Sequence, residues 1–346
     1  MKRQAIQIHE HGDIDKLELV ELEAPPPGPM EVRVRMRAVA LNHLDLFVRR
    51  GVPGHHFPLP LIPGSDGAGV VEALGPGVDS LAVGDEVVVF PGTSCGHCQA
   101  CLSGRDQHCR QYAILGEARD GLATELANVP LANVHRKPEG LSFVDAASFS
   151  LTMQTAWNML VVKAGLQPGE TILIQAGGSG VGVAAIQIAK MIGAVVWVTA
   201  GGPEKCQRCL DLGADRAIDY KSEDFVATVR QWTGKKGVEV VADHVGKDTF
   251  AGSIRCLDWG GRLVTCGATT GPNVEIHLAQ IFFKSLSLLG STMGSKGDLL
   301  RICQLVEQGR LTPVVGAILE GLSQYPGGHV FLEKRKVFGK VVVEIS

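Results

Sequence analysis

From residue 31 to 42 apolar and polar side chains alternate, with Val32, Val34 and Met36 on one face and Arg33, Arg35 and Arg37 on the other. A period of two predicts a half-buried strand. The stiff run Pro25-Pro26-Pro27-Gly28-Pro29 leads into it. Residues 69–74 and 86–90 read as further strands, set off by the turn dipeptides Gly75-Pro76 and Gly84-Asp85. The first half is therefore expected to be β-rich. Near residue 152 the rhythm changes. Strand-like runs at 171–175, 194–199, 238–243 and 262–266 alternate with helical stretches at 181–192 and 203–212, which predicts right-handed βαβ units and a parallel sheet. A helix at 298–308 and a strand at 340–345 then return to the earlier character. The pattern predicts an α/β chain with a nucleotide-binding domain inserted into a β-rich one: residues 1–152 and 293–346 on one side, 153–292 on the other.

Composition supports two cores. The chain has 346 residues, 45% hydrophobic and 20% charged, a globular balance at a length where single cores divide. With 33 basic and 36 acidic residues the formal charge is −3, so nothing argues for nucleic acid or an anionic membrane as partner. The longest weakly polar stretch, 180–202, contains Gln187, Lys190 and internal glycines, and reads as helix plus strand, not as a membrane span. The first ten residues lack the apolar run of a signal peptide. The cytoplasm is the expected compartment.

Four of the nine cysteines fall between positions 95 and 109. An odd total so clustered points to a metal in a reducing compartment, not to disulfides. Cys95, Cys98, Cys101 and Cys109 give C-x2-C-x2-C-x7-C, and four soft thiolates suit a closed tetrahedral zinc with no open position. Mixed ligation through His97 or His108, and an iron–sulfur cluster, stay open as alternatives. The lobe is taken as residues 91–110. Cys206, Cys209, Cys256, Cys266 and Cys303 read as packing residues.

A second signal follows the strand at 171–175. The run Gly177, Gly178, Ser179, Gly180, Val181, Gly182 passes from strand through turn into helix. Glycines let the backbone approach a pyrophosphate, and the helix start offers unpaired N–H groups. Against the fingerprint G-x-G-x-x-G the middle glycine is Ser179. The second strand of such a unit normally ends in an acid that holds the ribose of NAD. Here it ends at Thr199-Ala200-Gly201-Gly202, with no acid before Glu204. Lys205, Arg208 and Tyr220 offer charge and a hydroxyl to a 2′-phosphate. NADP(H) is expected over NAD(H).

With both signals in place, the chain resembles the medium-chain dehydrogenase/reductase superfamily of zinc-type alcohol dehydrogenases and quinone oxidoreductases over essentially its whole length. Further matches are Ile62-Pro63-Gly64-Ser65-Asp66-Gly67, Val83-Gly84-Asp85-Glu86-Val87, Leu212-Gly213-Ala214-Asp215, Gly260-Gly261-Arg262-Leu263-Val264 and Gly339-Lys340-Val341-Val342. The resemblance implies a GroES-like catalytic domain beside a Rossmann doubly wound parallel sheet. It extends the coenzyme set to Thr155, Gly246, Gly267 and Lys340. It also implies a homodimer or homotetramer built on the Rossmann sheet edge, for which residues 283–289 are the candidate strand.

The departures carry the functional expectation. The family's alcohol dehydrogenases hold a catalytic zinc through a Cys, a His and a third ligand; the corresponding places here are Asn42, Ser65 and residues 147–151, which offer no Cys, His or Glu. Leu44 stands where a proton-relaying hydroxyl is expected. Zinc lowers the pKa of bound water from about 16 to about 7, on the order of 12 kcal/mol of help to an alkoxide. Without it, the pattern Asn42-x-x-Asp45 resembles zinc-free quinone and enone reductases. In those, NADPH gives hydride to an electron-poor carbon, and the enolate oxygen needs only hydrogen-bond donors. Candidate catalytic residues are Asn42, His43, Asp45 and Tyr112. A noncanonical metal site drawing on His43, His55, His56 and Asp66, and a nucleotide-binding protein without turnover, are the competing readings.

Overall fold

The alternation at 31–42 is a strand, Glu31–Leu41, in the computed structural model, which describes residues 1–345. Val32, Val34 and Met36 are buried as the pattern predicts. Arg33 departs from it: its guanidinium is also buried, donating to the carbonyl of Pro25 and to Asn128 Oδ1. Beyond Arg37 both faces are covered, because Ala38 and Ala40 are small enough to pack with Ala146 and Ala147 of the helix Phe143–Ala147.

Two units make up the chain, one from residues 1–151 with the segment from Ser295 onward, the other from residues 152–294. In the first unit seven strands form one sheet. Its path runs Val315–Glu320, Lys340–Glu344, Glu31–Leu41, Asp66–Leu74, Glu86–Val89, Val134–Arg136, with Leu126–Pro130 also paired to Glu31–Leu41. The C-terminal strand thus lies beside the long N-terminal one, antiparallel, with Val341 opposite Leu41. Ile6, Ile8, Val34, Met36, Leu41, Ile62 and Tyr325 belong to the buried core.

The second unit is a six-stranded sheet ordered Arg216–Asp219, Val195–Ala200, Thr171–Ile174, Val238–Ala242, Leu257–Thr265, Ser287–Gly290. All its pairings are parallel. Numbered along the chain the order is 3-2-1-4-5-6, the doubly wound arrangement that binds dinucleotides at the carboxyl ends of its strands. The strand Arg216–Asp219 carries no sequence signal: of its four residues only Ile218 is fully buried. Residues 283–289 were expected as one strand and are not. Phe283 closes the helix Leu278–Phe283, Ser285 turns the chain in the left-handed region at φ 53°, and the edge strand begins at Ser287. Among the described residues no helix is long and apolar enough to cross a membrane.

Candidate functional site

Strand register builds the first site. Lys340 begins the C-terminal strand one residue before Val341, which pairs with Leu41, while Asp66 begins its strand opposite Ala40. Three neighbouring strand ends therefore bring Lys340, Asn42 and Asp66 together. Lys340 Nζ donates to Asn42 Oδ1 at 2.6 Å and to Asp66 Oδ2 at 2.9 Å, and Asn42 Nδ2 donates to the same Asp66 oxygen at 3.0 Å. The other oxygen, Asp66 Oδ1, accepts from the backbone N–H of Leu151 at 2.8 Å. All three side chains are buried.

Asp45 supports this group from beneath. Its Oδ2 accepts from Asn42 N–H at 2.7 Å and its Oδ1 from Gly64 N–H at 3.0 Å, so it ties the start of the helix His43–Arg50 to the turn that leads into Asp66. Burial raises its carboxyl to about 6, against the pull of those N–H donors and of Lys340. Further along that helix Arg49 is 1% exposed, ion-paired with Glu333, with Nη1 3.5 Å from His329 Nδ1. His43 is exposed at the first position of the helix.

The residues at the family's catalytic-zinc positions do not fit that ion. Asn42 presents an amide already bonded to an ammonium, and Ser65 and Ser150 present neutral hydroxyls, both buried without a partner among the described residues. Zinc wants thiolate, imidazole or carboxylate. Asp66 is a carboxylate, but the Lys340 charge satisfies it.

The four-cysteine lobe does fit zinc. Sulfur–sulfur distances are 3.6 Å for Cys98–Cys101, 3.6 Å for Cys95–Cys109 and 3.8 Å for Cys95–Cys101. A tetrahedron with Zn–S bonds of about 2.3 Å has edges of about 3.8 Å. Backbone N–H groups of Cys98 and Gln111 point at Cys95 Sγ and Cys109 Sγ at 3.4 and 3.3 Å, as thiolates require. Among the described residues this is the one cluster of three or more Cys, His, Asp or Glu placed to share an ion. The return segment braces it: Lys296 donates from its backbone to Asp106 at 3.0 Å and from Nζ to Ser94 Oγ at 3.3 Å. Tyr112 lies here too, its buried hydroxyl packed on Gly92 and pushed well above its ordinary range by burial and by Asp106 and Glu117. It is not part of the Asn42–Asp66–Lys340 group.

In the second unit the chain leaves the strand Thr171–Ile174 and turns at Ala176, a non-glycine residue at φ 53°. Thr199 holds that turn: its hydroxyl donates to Gln175 Oε1 at 2.7 Å and accepts from Ala176 N–H at 3.1 Å, while its carbonyl accepts from Gly177 N–H. The Thr199 side chain is thus spent on the turn. Gly182 has a different reason: a methyl there would lie 2.4 Å from Ala176 O. Ser179, the departure from the fingerprint, caps the helix Gly180–Ile192 by accepting from Gly182 N–H at 3.0 Å. Its Oγ also meets His244 Nε2 at 2.8 Å. Sequence reasoning missed His244 because nothing local marks it; only the parallel pairing of Thr171–Ile174 with Val238–Ala242 brings it to the turn.

Of the remaining coenzyme candidates, Gly246 at φ 92° is pressed against Ala268, a methyl at Gly267 would touch His244 O at 3.5 Å, and Thr155 is buried on a helix of this unit. The Tyr220 hydroxyl lies over Gly201, and burial, then the charges of Lys221 and Arg208, depress Lys205 below its ordinary range. An acid does reach this end of the sheet: Asp219, whose Oδ1 accepts from Gly202 and Lys221 N–H at 2.8 and 3.0 Å. It comes from the next strand, which the linear sequence hides. Lys340 belongs to the first unit, where it bonds to Asp66.

The family described as alcohol dehydrogenase GroES-like domain matches residues 28–139, and that described as zinc-binding dehydrogenase matches residues 180–308. The chain is 32% identical to a quinone oxidoreductase of Pseudomonas aeruginosa over 98% of each chain. It is also 32% identical to an alcohol dehydrogenase of Geobacillus stearothermophilus, over 95% of this chain and 96% of that one. A solved structure described as an NAD-dependent alcohol dehydrogenase superposes with a TM-score of 0.95 at 48% identity, covering 99% of this chain and 100% of that one. With this ancestry, this sheet order and this glycine turn, the chain belongs to the medium-chain dehydrogenase/reductase superfamily and is an NAD(P)-dependent oxidoreductase.

Proposed function

We propose that the chain passes hydride from NADPH to an activated enone, quinone or related carbonyl compound, with one structural zinc and no catalytic one. The observation that carries this is the Lys340–Asn42–Asp66 group: a buried ammonium 2.6 Å from Asn42 Oδ1 repels a dication where the family's alcohol dehydrogenases bind one. Reduction of a conjugated acceptor has no need of that ion, since the developing oxyanion requires only hydrogen-bond donors. Asn42 positions, and His43, exposed at the helix start, is the proton shuttle of this reading. Asp45 holds both in place. NADPH is favoured by Lys205, Arg208, Lys221 and the Tyr220 hydroxyl near Gly201–Gly202, with Asp219 occupied by backbone donors.

The 48% identical neighbour, described as NAD-dependent and as an alcohol dehydrogenase, favours a second reading in which this chain interconverts alcohols and carbonyls with NAD. One experiment separates them: zinc per chain after dialysis, then initial rates with NADPH and NADH against panels of enones, quinones, aldehydes and alcohols. About one zinc per chain and turnover of enones or quinones with NADPH support the proposal. About two zincs with efficient alcohol oxidation overturn it, and coenzyme binding with no turnover on any panel points to a nucleotide-binding protein without chemistry. The cytoplasm is the proposed compartment, in keeping with nine unpaired cysteines, and the exposed sheet edge is the proposed seat of a homodimer or homotetramer.

A further inference from the structure

His244 is 8% exposed and sits two residues beyond the strand Val238–Ala242, at the carboxyl end of the parallel sheet. Burial keeps its imidazole below the ordinary histidine range, so at neutral pH it has one N–H and one bare nitrogen. Nε2 is spoken for by Ser179 Oγ at 2.8 Å; Nδ1 is buried and has no partner among the described residues. The adjacent Asp243 does not supply one. Its carboxylate is filled by the N–H groups of Val245 and Gly246 and by the hydroxyls of Thr249 and Ser253.

Proton bookkeeping fixes the tautomer that wastes nothing. With the Ser179 hydroxyl, which accepts from Gly182 N–H, giving its own proton to His244 Nε2, the ring proton sits on Nδ1 and every proton of the pair is used. That leaves a buried N–H donor facing no protein acceptor, a costly state unless a ligand completes it. Its place says which ligand. In a doubly wound sheet the adenosine half of a dinucleotide lies toward the second strand, here Val195–Ala200, and the pyrophosphate lies at the helix start, here Ser179–Gly182. The strand Val238–Ala242 is on the opposite side of Thr171–Ile174 from Val195–Ala200. The other half of the coenzyme therefore passes over His244.

We propose that His244 is a coenzyme-contacting residue, with Nδ1–H donating to the phosphate or ribose on the nicotinamide side while Nε2 holds the Ser179 cap. This rests on the chain binding a nicotinamide coenzyme at the glycine turn. Two substitutions divide the ring's functions: His244→Gln keeps a polar atom near Nε2 and loses the one at Nδ1, and His244→Asn does the reverse. Binding is measured by calorimetry with NADPH, NADH and adenosine 2′,5′-bisphosphate, which lacks the nicotinamide side, alongside the melting midpoint without ligand. The expected result is an affinity loss on the order of tenfold or more for both coenzymes in His244→Gln. Affinity for the bisphosphate stays within about twofold, showing an intact turn, and His244→Asn retains most coenzyme affinity. Equal coenzyme binding by His244→Gln and the parent overturns the inference. So does an equal loss in both variants, or a parallel loss for the bisphosphate, since either places the effect on the Ser179 cap. A parent protein that binds no coenzyme at all overturns the coenzyme reading itself, a result distinct from the others.

Discussion

Lys340 Nζ lies 2.9 Å from Asp66 Oδ2, with side chains 4% and 0% exposed, across the strand whose next residue is Asn42. The pair joins the last strand of the chain to the fourth in sequence order. A buried ion pair adds little against an apolar substitute, but removing one partner strands the other charge. Lys340→Met is expected to lose about 3–5 kcal/mol of stability. Lys340→Met combined with Asp66→Asn should recover most of it, because the stranded carboxylate is gone. Urea denaturation of the three proteins checks this. A single variant within about 1 kcal/mol of the parent would show that the pair is solvated in solution.

The zinc lobe makes a prediction independent of chemistry at Asn42. Cys98→Ser leaves three thiolates whose tetrahedron cannot close. Zinc per chain should fall from about one to well below it, and the melting temperature should drop by several degrees. Elemental analysis and calorimetry read both. Unchanged metal content would refute the four-cysteine assignment.

Gly182→Ala tests the turn. The added methyl would meet Ala176 O at 2.4 Å and Gly177 O at 2.6 Å, both backbone atoms with nowhere to go. The helix start must shift, and with it the N–H groups that would face a pyrophosphate. Coenzyme affinity is expected to fall at least tenfold, measured by calorimetry.

Which of this was readable beforehand follows from physics. The strand Glu31–Leu41, the glycine turn and the cysteine spacing are local signals, and period or spacing exposes them. Lys340 was legible as a motif residue but not as the partner of Asp66, because only strand register makes positions 340, 42 and 66 neighbours. Asp219 and His244 fail for the same reason: each acts on a turn that belongs to another strand. Arg33 misled the face assignment because its buried guanidinium finds carbonyls that alternation cannot foresee.

Acid stability should carry the mark of His329. Burial, then Arg49 and Arg50, lower it to about 3, so the unfolded chain takes up the proton first and stability falls as pH drops below about 6.5. Between pH 7.5 and pH 5 this amounts to about 2 kcal/mol. Asp45 works the other way. Its folded value near 6 lies above the unfolded one, so it adds stability as pH falls through 6. His329→Gln removes the first contribution and keeps the second. His244 and His135, also held below their ordinary range by burial, keep their own share, so urea midpoints of the variant should decline less than the parent's from pH 7.5 to pH 5, whereas a decline equal to the parent's would place the acid-labile group elsewhere.

Among the described residues Ser287–Gly290 has a neighbour on one side only, and beside it the helix Leu278–Phe283 buries none of its residues. The rings of Phe282 and Phe283 meet at a tilt, 4.6 Å between centroids, while 64% and 68% exposed, and Trp259 is 72% exposed. Unpaired backbone groups next to so much aromatic surface invite a second copy, whose own edge would continue the sheet. Sedimentation at micromolar concentration is expected to show a dimer or tetramer. Phe282→Glu with Phe283→Lys should shift it toward monomer and leave the zinc content unchanged, since the cysteine lobe belongs to the other unit. A parent that sediments as a monomer at all concentrations would leave this edge capped by nothing but solvent, and the assembly reading would fail.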